Sequence, residues 1–113
     1  MSYVPLHIHT MYSNLDGFGS PKRNVKRAKE LGLKALGISD HGNIAGHVKH
    51  IEECKKEGIK PILGIELYVV HKPAWQKSTD NKMNSHMVLW ARDKDCWYNL
   101  IQFRLDLILL VTP

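Results

Sequence analysis

Cysteine is scarce in this chain of 113 residues: Cys54 and Cys96 stand far apart, with no C-x-x-C pair. That spacing excludes a disulfide framework and a cysteine-built zinc site, and it suits a reducing cytoplasm. Long apolar runs are missing too. The stretch Leu105 to Val111 is far short of the ~20 residues that cross a bilayer, and Met1 to His9 has neither the basic region nor the apolar run of a signal peptide. There is no internal repeat, no low-complexity segment and no stretch polar enough to read as disordered. The expectation is a soluble, cytoplasmic protein.

What is present is an ordinary globular composition, 43% hydrophobic and 24% charged, in a length that allows one modest domain or a piece of one. Sixteen Lys and Arg against eleven Asp and Glu give a formal charge of +5, which suits a polyanion such as nucleic acid. The basic residues Lys22, Arg23, Lys26, Arg27, Lys29, Lys49, Lys55 and Lys56 are spread along helical faces, a spacing that reads first as solvated helix surface.

Strand and helix signals alternate, as they do in a parallel sheet covered by crossover helices. A short strand over Tyr3 to Ile8 leads to a polar cluster. Ser20 then offers an N-cap and Pro21 the first helical position, Val25, Ala28 and Leu31 recur at helical spacing, and Gly32 stops the helix. A second strand runs from Leu33 to Ser39. After the turn Asp40-His41-Gly42-Asn43, the residues Ile44, Val48, Ile51 and Cys54 predict the apolar face of a second helix closed by Gly58. A third strand spans Ile59 to Val70, a polar surface loop His71 to Ser85, and a fourth strand His86 to Ala91. Asp93 or Asp95 caps a third helix carrying Trp97, Leu100, Ile101 and Phe103. The tail from Leu105 to Pro113 reads either as a last strand or as the end of that helix.

Seven histidines are many for this length, and their positions matter more than their number. His7, His9, His41 and His86 fall at strand borders, and in parallel α/β proteins ligands bind at the carboxyl ends of strands. His7 and His9, two residues apart on a strand, present two imidazoles to one face. Carboxylates at Asp16, Asp40 and Glu66 could join them in a nitrogen and oxygen donor set suited to zinc, manganese or iron. Such a cluster would activate a water and hold a phosphoryl oxygen. Each residue also has a plainer reading: a strand-end histidine bonded to backbone, Asp16 opening a turn at Gly17, Asp40 capping the second helix, Glu66 a charge on an edge strand. His47, His50 and His71 lack the strand-end setting and read as surface residues.

The strings His7-Ile8-His9-Thr10, Tyr12-Ser13 and Leu15-Asp16-Gly17 resemble the opening motif of the polymerase and histidinol phosphatase (PHP) family. Ser39-Asp40-His41-Gly42-Asn43 resembles its second motif, with Ser39 where Thr is usual, and Gly58 to Val69 resembles its third. His86-Met87-Val88-Leu89 with Tyr98-Asn99-Leu100-Ile101 resembles the bacterial DNA polymerase III alpha subunit in particular. The resemblance implies an α/β fold, part of a distorted (β/α) barrel with parallel strands and outer helices. It covers residues 1–104, with 105–113 a divergent or truncated tail. It also implies up to three divalent transition metal ions (Zn, Mn or Fe) on His7, His9, Asp16, His41, Glu66 and His86. Asp40 is expected to orient one of the imidazoles from behind.

The family's domain continues with later ligands, among them an Asp-x-His pair that this chain lacks, so the expected site is incomplete. Three functions compete. The first is the PHP part of a replicative polymerase alpha subunit, with a phosphoesterase or 3′–5′ exonuclease type site. The second is a stand-alone PHP phosphatase acting on a small phosphomonoester such as histidinol phosphate, and the third a non-catalytic remnant. The long match from Lys60 to Val69 favours the first. Expected partners are DNA or a phosphoester, other parts of a replicative polymerase, and a second copy through unpaired sheet edges.

Overall fold

The structure, a computed structural model, describes residues 3–70, 72–73 and 84–111, the last five of these by backbone alone. Helix α1 (Pro21–Glu30) starts where Ser20 Oγ accepts the Arg23 N–H and Pro21 presets the backbone. Its Val25 and Ala28 are buried, and Gly32, at φ 71°, turns the chain into strand β1 (Ala35–Ile38). Helix α2 (His47–Glu57) ends at Gly58, whose φ of 68° is the left-handed conformation that suits glycine. Strand β2 (Lys60–Val70) follows, then β3 (Asn84–Trp90) and helix α3 (Lys94–Val111). Asp93 Oδ1 caps α3 by accepting the Cys96 N–H, and the helix runs unbroken through Leu105, which decides the tail in favour of helix.

The sheet order is β1-β2-β3. Strand β1 pairs parallel with β2, Ala35 opposite Lys60, whereas β2 pairs antiparallel with β3, Glu66 opposite Val88 and Tyr68 opposite His86. The fold is α/β with a mixed sheet, which corrects the expectation of parallel strands throughout. The reason lies in the connection: a parallel return needs a crossover helix, and the polar segment after Val70 has no helical periodicity to supply one. Most of that predicted loop, with His71, lies outside the described residues.

The predicted first strand is not regular. Gly37 N–H donates to Pro5 O and Ser39 N–H to Ile8 O, each at 2.8 Å, so three steps on one side face two on the other. The segment runs beside β1 in the same direction but bulges at Leu6 and His7, and the Ile8 N–H finds the Ser39 hydroxyl rather than a carbonyl. Gly37 is needed at this crossing, because a Cβ there would lie 2.2 Å from Leu6 O.

A small core of Val25, Ala28, Leu36, Cys54 and Ile59, with Ile8 and Leu33 packed on it, lies between α1, α2 and β1. The face by which α2 meets the sheet keeps Cys54 of the predicted apolar stripe but is turned from the rest of it. Ile44 precedes the helix and Val48 is exposed, while His47 and His50, expected on the surface, are buried. His47 Nε2 lies 2.9 Å from Gly64 O, and His50 Nε2 lies 2.9 Å from Leu36 O. Each imidazole thus has a sheet carbonyl as partner, which lets it be buried without an unsatisfied nitrogen on that side. Trp97 of α3 donates its indole N–H to His47 Nδ1 at 3.0 Å, joining α3 to the same seam.

Candidate metal centre

Glu66 is the centre of the site. It lies on β2 with only 2% of its side chain exposed, so it is no edge-strand charge, and its oxygens meet three histidines from two stretches of chain. Oε2 is 2.7 Å from His7 Nε2 and 2.5 Å from His9 Nε2, and Oε1 is 2.5 Å from His86 Nδ1. Burial works to raise the Glu66 carboxyl, but the bonds from His7 and His9 and the charge of His41 outweigh it and hold the group below its ordinary range.

Asp16 forms a second focus, half exposed at the rim. Its Oδ2 lies 2.6 Å from both His9 Nδ1 and His41 Nε2, and these two contacts, His41 first, hold its carboxyl below the usual value. His41 is brought beside β2 by a parallel bridge to Glu66, in which Glu66 N–H donates to Asp40 O and Gly42 N–H to Glu66 O. All six residues expected as ligands therefore meet: His7, His9, Asp16, His41, Glu66 and His86.

They form three overlapping groups, His7–His9–Glu66, His9–Asp16–His41 and His41–Glu66–His86, with donor atoms within 4.8 Å of one another in each. His7 Nε2 and His9 Nε2 are 3.1 Å apart against the same oxygen. A tetrahedral ion with bonds of ~2.0–2.1 Å places its donors about 3.3 Å apart, close to the spacing of this nitrogen pair, while Glu66 Oε2 lies nearer to both nitrogens. Four imidazoles with two carboxylates also match the ligand preference of zinc, manganese or iron.

Asp40 is placed differently. Its carboxylate is 1% exposed and accepts three bonds, from Thr10 N–H (2.5 Å), Thr10 Oγ1 (2.7 Å) and Ser13 Oγ (2.6 Å). Ser13 Oγ in turn accepts the His41 N–H at 3.1 Å. Asp40 thus pins the loop between His9 and Asp16 and steadies His41 through its backbone, whereas the expectation was a direct contact with an imidazole. It does not cap α2, where Gly46 holds the N-cap position with no side-chain bond.

The 10–17 loop is tight. Ser13 N–H donates to Thr10 O and Gly17 N–H to Ser13 O, and a Cβ at Gly17 would sit 1.8 Å from Thr10 O. Residue-type reasoning missed Thr10, Ser13 and Tyr68. The available signal for Tyr68 was its place two residues after Glu66 on one strand face.

The model of the PHP domain matches residues 5–103. The chain is 41% identical over 100 residues to DNA polymerase III subunit alpha of Helicobacter pylori and 43% over 107 residues to that of Aquifex aeolicus. Each match covers 88% of this chain, which spans only 8 to 9% of the length of those relatives. Among solved structures, a Bifidobacterium adolescentis protein assigned as a metal-dependent phosphoesterase is similar at a TM-score of 0.64 and 29% identity, over 80% of this chain and 28% of that one. A Chromobacterium violaceum amidohydrolase, at 22% identity and a TM-score of 0.62 over 88% of this chain and 32% of that one, shares the fold. Among the described residues no helix is long and apolar enough to cross a membrane.

Proposed function

The chain belongs to the PHP domain family, and on that premise we propose that His7, His9, Asp16, His41, Glu66 and His86 hold divalent transition metal ions for phosphoester hydrolysis. One observation carries the reading: four imidazoles from three stretches of chain converge on two carboxylates, with the donor atoms of each group within 4.8 Å of one another. Bound ions would supply Lewis acidity to a phosphoryl oxygen and activate the attacking water. The chain's own part is to hold the imidazoles in place. Glu66 draws His7, His9 and His86 together, Asp16 gathers His9 and His41, and Asp40 fixes the loop between the two halves. His7 and His86, each about half exposed, leave the cluster open on one side to a phosphoester.

The relatives suggest the setting. We read the chain as the PHP portion of a replicative DNA polymerase III alpha subunit, with DNA or another phosphoester as substrate and the rest of such a polymerase as partner. In that setting the β1-β2-β3 sheet is one side of a distorted barrel that further strands would close. Purified chain should contain zinc or manganese after gentle dialysis, and the metal should fall to background in the His7→Ala/His9→Ala double variant. Release of mononucleotide from single-stranded DNA with added manganese, abolished by His9→Ala, would establish the exonuclease form of the activity. Turnover of a generic phosphomonoester without action on DNA would favour a small-molecule phosphatase, and metal content unchanged in the double variant would refute the site.

A further inference from the structure

Two of the three donor groups compete for one residue. His41 belongs both to the group with His9 and Asp16 and to the group with Glu66 and His86. Its Nε2 lies 2.6 Å from Asp16 Oδ2, while its Nδ1 faces the other way, 3.9 Å from Glu66 Oε2 and 3.4 Å from the Tyr68 hydroxyl. A neutral imidazole has one lone pair and one N–H, so it can serve only one of the two groups. Which nitrogen becomes the ligand is set by the bond the other nitrogen makes.

Tyr68 is the neighbour placed to make that choice. It shares a strand face with Glu66 on β2 and stands opposite His86 in register on β3. Its ring is nearly parallel to His41, at 8° and 5.7 Å between centroids, and meets His86 edge-on at 4.8 Å. The rival for His41 Nδ1, Glu66 Oε2, is beyond hydrogen-bond reach and is already shared by His7 and His9. The 3.4 Å contact is a long one, so its energy is small. A small bias is enough where the alternatives are two neutral forms of one ring.

We propose that Tyr68 is a positioning residue: its hydroxyl accepts the Nδ1–H of His41 and so commits the Nε2 lone pair to an ion held with Asp16. The inference rests on the metal-site reading above.

The test uses zinc alone, titrated into the wild-type chain and the Tyr68→Phe variant in competition with a chromophoric chelator, with ¹⁵N spectra of labelled histidine on the zinc-loaded proteins. The expected result is His41 metallated at Nε2 and protonated at Nδ1 in the wild type. In Tyr68→Phe, which keeps the ring and loses the hydroxyl, zinc affinity should fall a few-fold, less than the roughly tenfold cost of losing a well-formed partner behind a ligand. Tyr68→Leu, which removes the stacked ring as well, should bind no more tightly than Tyr68→Phe. Metallation at Nδ1 in the wild type, or equal zinc affinity in wild type and Tyr68→Phe, would overturn the inference alone. Absence of zinc binding by the wild type would overturn the metal-site reading and this inference with it.

Discussion

Replacing Asp40 removes none of the six clustered side chains, yet it should cost both stability and metal affinity. The buried carboxylate accepts three bonds, two on Oδ1 from Thr10 N–H and Ser13 Oγ and one on Oδ2 from Thr10 Oγ1. A bond to a charged group contributes ~1.5–3 kcal/mol, and an abandoned buried donor costs about 1–3 kcal/mol. Hydroxyls can turn to new partners but the Thr10 N–H cannot, so Asp40→Ala should cost roughly 3–5 kcal/mol, a large share of the ~5–15 kcal/mol of a typical domain. Asp40→Asn keeps one oxygen, which can serve both donors now on Oδ1, and should cost only about 2 kcal/mol. At roughly 4 °C per kcal/mol for a chain of this size, the melting temperature should drop by about 8 °C in the Asn variant and 12–20 °C in the Ala variant. Zinc affinity should fall about tenfold in Asp40→Asn, because the loop carrying Asp16 loosens while all six clustered side chains stay in the sequence. Circular-dichroism melts and chelator competition measure both quantities. An Asp40→Ala variant melting within a degree or two of the wild type would refute the assignment of Asp40 as the loop's anchor.

Other expectations follow from packing and charge. Burial pushes His47 and His50 below their ordinary value of 6.5, so the folded state favours their neutral forms. Their contribution to stability is therefore complete above pH 6.5 and is lost as pH falls below it towards the folded values; urea midpoints between pH 7.5 and 5 should decline, with a shallower slope in His50→Gln. Trp97→Phe, which removes the donor to His47 Nδ1, should destabilise by about 1 kcal/mol, and a stability equal to wild type would show that the bond contributes nothing. Gly17→Ala would drive a Cβ into Thr10 O and should cost ~2–3 kcal/mol with loss of zinc affinity, read by the same melts and titrations.

Much of the site was legible because its chemistry depends on residue types that strands place predictably. His7 and His9 two apart, His41 after β1 and Glu66 within β2 are readable from spacing and motif, and the six expected residues do meet. What was hidden depends on three-dimensional satisfaction of polar groups. The apolar positions of α2 gave Cys54 correctly but also pointed Val48 inward, whereas the buried face is turned to include His47 and His50, whose imidazoles bond to Gly64 O and Leu36 O, a pairing that no local apolar pattern records. The antiparallel run of β3 was missed because strand signals carry no direction. The bulge beside Gly37 was missed because it answers a close backbone approach that no local pattern records. The helix caps at Ser20, Gly32 and Gly58 were readable, since capping is settled within a few residues.

Glu66 meets His7 across 59 positions of sequence. An ion bound by both would close a loop of that length, as a covalent cross-link does, and the chain-entropy model puts the closure of such a loop at about 4 kcal/mol. A chain with two unpaired thiols and a small core would thus have a staple that a chelator removes and a salt of the metal restores. Chelator would then act first on the fold, and its effect on any chemistry would follow from that.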